Sequence, residues 1–496
     1  VWVGLVLSVV CGLTGCHSYE RRPLDMSATR AAWLSRSPSD PSVREFAAAL
    51  DRTDSGSRAS GFDPTDGLTL AEAEVVAQVF NPDLRLARLE SDVTRATAAH
   101  AGLWQDPVIG VDLERIVSGV SGANAWVAGS TVGMTIPISG RLEAEKARAG
   151  ADVAAELDRL AAKEWATRSA LQELWVEWSA AQVRLEVTER LLERLRDVVA
   201  LADRQEQAGS MTRIDARLFR VELAGREADL VAIAARVKEL ELQLRAMLGL
   251  PPEETITLVP SVAIAPRSTD VLDLQRLLEE SNPELAAVRA EYEVSEQSLR
   301  AEVRKQYPDL TIGPGYATDQ GDSRVLLGLS LPIPLWNRNQ QGVAQATASR
   351  EVARGRFVTT YEHLSMRLAA AFIRFEAGRD QRTLIETSVV PLADEQETDV
   401  ARVAALGRVD PLLVLESVKA QYAAKIRLLE ARAAESIGAV RLNELIGPTR
   451  PASDSTLDHP ANSAPPAPSS SRNNAGSFRD APAHPTDSHT STPSPR

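Results

Sequence analysis

The phrase NPDLRLA at residues 81–87 returns as NPELAAV at 282–288. A repeat at nearly fixed spacing constrains a fold more than any local propensity does. Each phrase opens an apolar–polar helical stretch that closes at an Xaa-Pro step, Asp106-Pro107 in the first half and Tyr307-Pro308 in the second. Ile136-Pro137-Ile138 recurs as Leu331-Pro332-Ile333. GSMTRIDARL at 209–218 faces GRVDPLLVLE at 407–416, and MLGLPP at 247–252 faces LIGP at 445–448. The landmarks keep one order, with offsets that drift by only a few residues, which marks an internal duplication with two similar halves at 69–250 and 270–448.

Within each half the hydrophobic period changes in the same places. Thr69 with Glu72 has the capping-box spacing and predicts a helix start; that helix is interrupted at Asn81-Pro82 and runs to about Trp104. From 108 to 116 the period drops to two, with Ile109, Val111 and Leu113 alternating with Gly110, Asp112 and Glu114. A second alternating run carries Trp126, Ala128, Val132, Met134 and Ile136. A long helix then spans Leu142 to about Ala208. Along it Leu171, Leu174, Trp178, Ala181, Leu185, Thr188, Leu192, Leu195, Val199 and Ala202 step by 3 and 4, with Thr188 the one polar member. Sustained 3-4 spacing is a coiled-coil seam, and such a helix is on the order of 100 Å long. A turn at Gly209 leads to a shorter helix over 213–247. The second half repeats the plan: a helix at 270–306, strands at 309–318 and 324–335, a long helix at 340–405, a turn at Gly407 and a helix at 411–446.

The ends differ from the halves. Both cysteines, Cys11 and Cys16, fall within the apolar run VWVGLVLSVVCGLTGC, so the body has no thiolate site and no disulfide framework. That run has signal-peptide length, which assigns 1–15 to a signal peptide. Leu13-Thr14-Gly15-Cys16 resembles the bacterial lipobox, in which the cysteine thiol is acylated and becomes the mature N-terminus. Residues 16–68 then read as an acylated N-terminus and extended lead-in, and the Pro/Ser-rich stretch 449–496 as a disordered tail. The net charge of −13 argues against nucleic acid as a partner.

The element lengths set the architecture: mainly α with a small β part. Two shorter helices laid end to end match one long helix, with the hairpins at one end of the bundle and the Gly209 and Gly407 turns at the other. Alternating strands of about ten residues have transmembrane-strand length. Four of them cannot close a barrel around a water-filled lumen, so other copies must supply the rest.

The repeated NPDLRLA and NPELAAV, TIPISGR at 135–141, SLPIPLWNRNQQG at 330–342 and the two tip phrases resemble the TolC family of outer-membrane efflux channels over about 69–448. LPIPLWNRNQ is similar to the branch that works with heavy-metal or cation pumps. The resemblance implies a homotrimer sharing a twelve-stranded β-barrel in outer-membrane lipid, continued by an α-barrel of long antiparallel coiled-coil helices into the periplasm. It also implies a periplasmic adaptor and an inner-membrane pump as partners, with no cofactor beyond a covalent lipid on Cys16. Gly209, Asp215, Gly407 and Asp410 then fall at the periplasmic tip, where the adaptor docks. Related channels often carry acidic residues facing the pore at the second tip. Here Leu413 occupies one such place, which leaves Glu416 as the candidate constriction.

No P-loop, GxSxG or HExxH occurs, and His17, His100, His363, His459, His484 and His489 form no metal-ligand spacing. The chain reads as a non-enzyme. Trp126 and Trp336 stand near strand ends as candidates for an interfacial aromatic belt, whereas Trp104 reads as packing beneath the hairpins. The competing reading is a non-conducting periplasmic coiled-coil lipoprotein acting as adaptor or tether; such a chain has no use for two hairpins of membrane-strand length.

Overall fold

The structure, a computed structural model, describes residues 19–53, 62–115, 117–118, 126–319, 322–405 and 410–448. The expectations for the 1–15 leader, Cys16, Gly407 and the 449–496 tail lie outside these residues.

The lead-in is helical where the sequence reading has it extended. Helix α1 (Met26–Leu34) is capped by Asp25, whose carboxylate accepts from the Ser27 and Ala28 N–H groups. Helix α2 (Pro41–Thr53) buries Val43 and Ala47, one turn apart, against α3 (Leu70–Phe80). That apolar spacing overrides the polar composition around it.

The first repeat continues with α4 (Pro82–Ala99), β1 (Val108–Arg115), β2 (Trp126–Ile136), α5 (Arg141–Gln207) and α6 (Arg213–Leu248). The predicted capping box at Thr69 forms. Its N–H donates to Glu72 Oε2 at 2.8 Å, and the Glu72 N–H donates back to Thr69 Oγ1. The second repeat comprises α7 (Val271–Ser281), α8 (Pro283–Arg304), β3 (Leu310–Asp319), β4 (Asp322–Ser330), α9 (Gln340–Leu384), a π turn (Ile385–Val389), α10 (Val390–Ala405) and α11 (Pro411–Ile446). Two expectations are corrected here. The last strand stops at Ser330 rather than 335, because Pro332 and Pro334 bring no N–H to a ladder. The second long helix is not continuous, being interrupted at 385–389.

All four strands form one antiparallel sheet in the order β1-β2-β3-β4, so the two repeats meet at β2–β3. The helices pack as long pairs: α5 against α4, α6, α8 and α11, and α9 against α8 and α11. Apolar burial is strung along them in separate clusters. One holds Leu171, Trp175 and Trp178 with Leu240 and Leu244; another holds Leu364, Leu368 and Phe375 with Leu278 and Leu442; a third joins Leu191 and Leu195 to Phe219, Leu415 and Val418. Burial spread along the helix axes builds a wall instead of a globule.

The duplicated Asn-Pro phrases sit where two shorter helices meet end to end beside the long one. Asn81 is 4% exposed. Its Oδ1 accepts from the N–H groups of Asp83 and Leu84 and caps α4, while its Nδ2 donates to the Met247 carbonyl in the last turn of α6. The positive end of one helix dipole thereby abuts the negative end of the other. Gly249 closes α6 at φ +69°, with the Phe80 backbone filling the space a Cβ would take. Asn282, Leu445 and Gly447 reproduce the arrangement in the second repeat.

Candidate functional site

Directly paired residues of an antiparallel sheet share a face, so the register sorts every side chain. One face carries the pairs Ile109↔Val132, Met134↔Ile312, Ile312↔Leu329, Pro314↔Leu327 and Tyr316↔Val325. The other carries Gly110↔Thr131, Asp112↔Gly129, Thr131↔Gly315, Thr135↔Thr311 and Gly313↔Gly328. The apolar face runs across all four strands, interrupted by Ser130 between Val111 and Tyr316 and by Thr318↔Ser323 toward the hairpin turns, and Val111, Leu327 and Val325 are 71%, 71% and 86% exposed. An exposed apolar surface of this kind marks a site of contact with a partner or a membrane. Among the described residues no helix is long and apolar enough to cross a membrane; the sheet is the surface with the composition for it.

The aromatic residues divide between the two ends of this sheet. Trp126 begins β2 at the hairpin-turn end, with the Arg115 guanidinium 5.7 Å from its ring centre. Trp336 follows β4 at the helix end and is 87% exposed. Trp104 is 56% exposed and does not pack beneath the hairpins as expected, because α4 ends at Ala99 and the chain leaves the bundle before reaching it.

The far end of α5 closes in a Schellman turn. Gly209 takes φ +76°, its N–H donates to the Glu206 carbonyl, and the Ser210 N–H donates to the Gln205 carbonyl. Asp215 stands in the first turn of α6, where Thr212, the N-cap, donates through Oγ1 to Asp215 Oδ2 at 2.6 Å and accepts from the Asp215 N–H. Asp410 caps α11 by accepting from the Leu412 N–H. Both carboxylates thus hold helix ends in place. Glu416 lies six residues further along α11, where Lys419 Nζ approaches Oε1 at 3.3 Å and also lies 3.9 Å from Glu222. Above the tips, the polar seam position Thr188 is fully buried and donates to the Arg184 carbonyl at 2.7 Å, while its hydroxyl lies 3.1 Å from Tyr422 Oη. The Arg226 guanidinium stands 5.6 Å from the Tyr422 ring centre. Sequence reasoning found Thr188 but not its partner, because Tyr422 belongs to the other repeat and no local period connects them. Among the described residues no group of three or more His, Cys, Asp or Glu is arranged to hold a metal ion.

A family model described as "Outer membrane efflux protein" matches residues 76–250 and again 274–448. The chain belongs to this family.

Members of the outer membrane efflux protein family are transport channels and not enzymes. The chain is 27% identical over 256 residues to the cobalt-zinc-cadmium resistance protein CzcC of Cupriavidus metallidurans, a match covering 50% of this chain and 59% of CzcC. Its fold is similar to the outer membrane protein VceC of Vibrio cholerae, with a TM-score of 0.63 at 16% identity over 76% of this chain and 96% of VceC. It is also similar to the open state of the Neisseria gonorrhoeae MtrE outer membrane channel, with a TM-score of 0.60 at 14% identity over 76% and 88% of the two chains.

Proposed function

We propose that three copies of this chain close one twelve-stranded barrel and form the outer-membrane channel of a tripartite efflux system. The observation that carries this reading is the sheet: one face dominated by exposed apolar side chains, one glycine- and hydroxyl-rich face, and two unpaired edges at β1 and β4. An edge strand in a membrane must be paired, and β4 of one copy runs antiparallel to β1 of the next. The helices continue the tube into the periplasm, where an adaptor docks at the tips around Gly209, Asp215, Gly407 and Asp410 and passes on substrate from an inner-membrane pump. Divalent heavy-metal cations are the substrate class, supported by the likeness to CzcC and by the chain's net charge of −13. Metals pass through as cargo. Glu416 contributes negative charge near the periplasmic mouth, and Cys16 carries a lipid anchor in the inner leaflet.

The test is functional replacement. Expressed with a cognate pump and adaptor in cells lacking their own channel, the protein should restore tolerance to cobalt, zinc or cadmium. Restored tolerance to organic compounds alone would overturn the metal assignment. An assembled, membrane-inserted protein that restores neither would overturn the efflux reading. Mass spectrometry of the mature N-terminus tests the anchor, and an unmodified Cys16 or cleavage elsewhere would remove it.

A further inference from the structure

The two repeats leave the sheet differently. After β2 a single residue, Ser139, separates Ile138 from Gly140, the left-handed N-cap of α5. Ser139 is buried, and its hydroxyl donates to Asp309 at 2.9 Å. After β4 the equivalent step, from Ile333 to Asn339, the left-handed N-cap of α9, takes five residues. The longer connection is not a polar loop. Leu331, Ile333, Leu335 and Trp336 are 48%, 71%, 59% and 87% exposed.

These side chains prolong the apolar ladder of β4. On that strand Val325, Leu327 and Leu329 lie on the apolar face, paired with Tyr316, Pro314 and Ile312. Leu331 and Ile333 keep the alternation, each followed by a proline. A residue before proline is held to extended backbone, so the alternation carries past Ser330, where the strand ends. Length decides what the continuation does. From Val325 to Leu329 the ladder rises about 13 Å, and to Ile333 about 26 Å. Tilted by about 40°, these become about 10 Å and 20 Å along the membrane normal, against an apolar band about 25 Å tall. The counterpart strand β2 reaches about 25 Å unaided, because its side of the apolar face runs from Trp126 to Ile136 with Ser130 the polar member. Within the sheet, β4 covers less than half of that height.

The backbone of the connection suits lipid too. An unpaired N–H is costly in hydrocarbon. Pro332 and Pro334 have none, and the Leu335 N–H donates to the Ile333 carbonyl at 2.9 Å. Past Trp336 the chain turns back to the bundle at Arg338 and Asn339, whose φ of +42° and +49° are the positive values at non-glycine residues among those described. Asn339 Nδ2 pins the turn by donating to the Glu302 carbonyl at 2.9 Å and to Glu302 Oε2 at 2.8 Å. Arg338 Nε donates to the Pro334 carbonyl at 3.3 Å.

We propose that residues 331–336 form a membrane-embedded strap, seated in the periplasmic leaflet with Trp336 at the headgroup boundary and clamped through Asn339 on Glu302. The strap completes the lipid-facing height of β4. It rests on the reading of the sheet as the membrane end of the channel and adds a lipid contact outside the hydrogen-bonded strands.

Carbene photolabelling with an apolar diazirine tests it in the full-length, assembled protein in bilayers of phosphatidylethanolamine and phosphatidylglycerol, with adducts read residue by residue by tandem mass spectrometry. Residues 331–336 should be labelled within about twofold of 325–329 and about tenfold above α8. Asn339→Ala, which frees the turn, should lower labelling of 331–336 several-fold and leave 325–329 unchanged. Labelled 325–329 with 331–336 at the α8 level would overturn the strap while the membrane reading stands, and hydroxyl-radical footprinting would then tell water from a neighbouring copy as the occupant. Background labelling of both stretches would overturn the membrane reading and the strap with it. Unchanged labelling in Asn339→Ala would overturn the clamp.

Discussion

Asn282 donates through Nδ2 to the backbone carbonyl of Leu445 at 2.8 Å, and its repeat counterpart Asn81 does the same to Met247 at 2.8 Å. In each case the same side chain accepts from the first turn of the helix it caps. Only a side-chain amide has both a donor and an acceptor at this reach, so aspartate, an equally good cap, cannot replace it. Asn282→Asp should leave the Leu445 carbonyl unpaired and bury a carboxylate. Its expected cost is about 1–3 kcal/mol, read as a lower melting temperature in detergent, with Asn81→Asp behaving alike. A melting temperature unchanged by both would mean that the junctions do not hold the stacked helices together.

The glycines beside these junctions separate two effects that sequence cannot distinguish. Gly209, Gly249 and Gly447 all adopt positive φ. A Cβ at Gly249 or Gly447 would overlap the Phe80 or Ser281 carbonyl, whereas nothing lies within 4 Å of a Cβ at Gly209. Gly209→Ala should cost about 1 kcal/mol from backbone conformation alone. Gly249→Ala and Gly447→Ala should cost clearly more and lower the yield of assembled protein. Equal losses at all three positions, measured by thermal melting, would contradict the packing at the junctions.

The sheet register predicts which positions tolerate charge. Val111→Arg or Leu329→Arg places a guanidinium on the lipid face and should cost about 2–4 kcal/mol near the bilayer centre. Asp112→Arg, on the opposite face, should assemble normally. Heat-modifiable mobility on gels after outer-membrane extraction reads the difference directly.

Glu444 gives a pH-dependent stability. Burial pushes its carboxyl above the usual range, the nearby Arg367 opposes that, and Glu173 and Glu284 add to it. With its folded pKa above the unfolded one, ionisation penalises the native state. The penalty is full above the folded pKa and vanishes as pH falls below the unfolded value. Glu444→Gln should therefore raise the melting temperature at neutral pH and lose that advantage in acid. Arg367 retains Glu284 at 3.3 Å in the variant. An advantage that grows on acidification would reverse the sign.

What the sequence revealed and what it hid follow from periodicity. The duplication, the 3-4 seam from Leu171 to Ala202 and the alternation of Ile109, Val111 and Leu113 are local patterns with a fixed period, and each corresponds to an element. The π turn was hidden because its signal is a single extra residue between Ile385 and Ala393, visible only once the buried seam is known. Helices α1 and α2 were hidden by their polar composition, since two buried residues in α2 suffice to dock it. Of the residues expected at the tips, Asp215 bonds to the N-cap Thr212 and Asp410 caps α11, pairings that emerge only from hydrogen-bond geometry. The pairing of Glu416 with Lys419 is likewise a three-residue helical contact that competes with any role toward the pore.

Conductance across a planar bilayer tests the central claim most directly. Protein purified at three times the mass of one mature chain should insert and give discrete, cation-selective current steps, and Glu416→Lys should weaken that selectivity without abolishing the steps. A folded trimer that inserts but passes no current, or a protein that remains a monomer in detergent, would contradict the account.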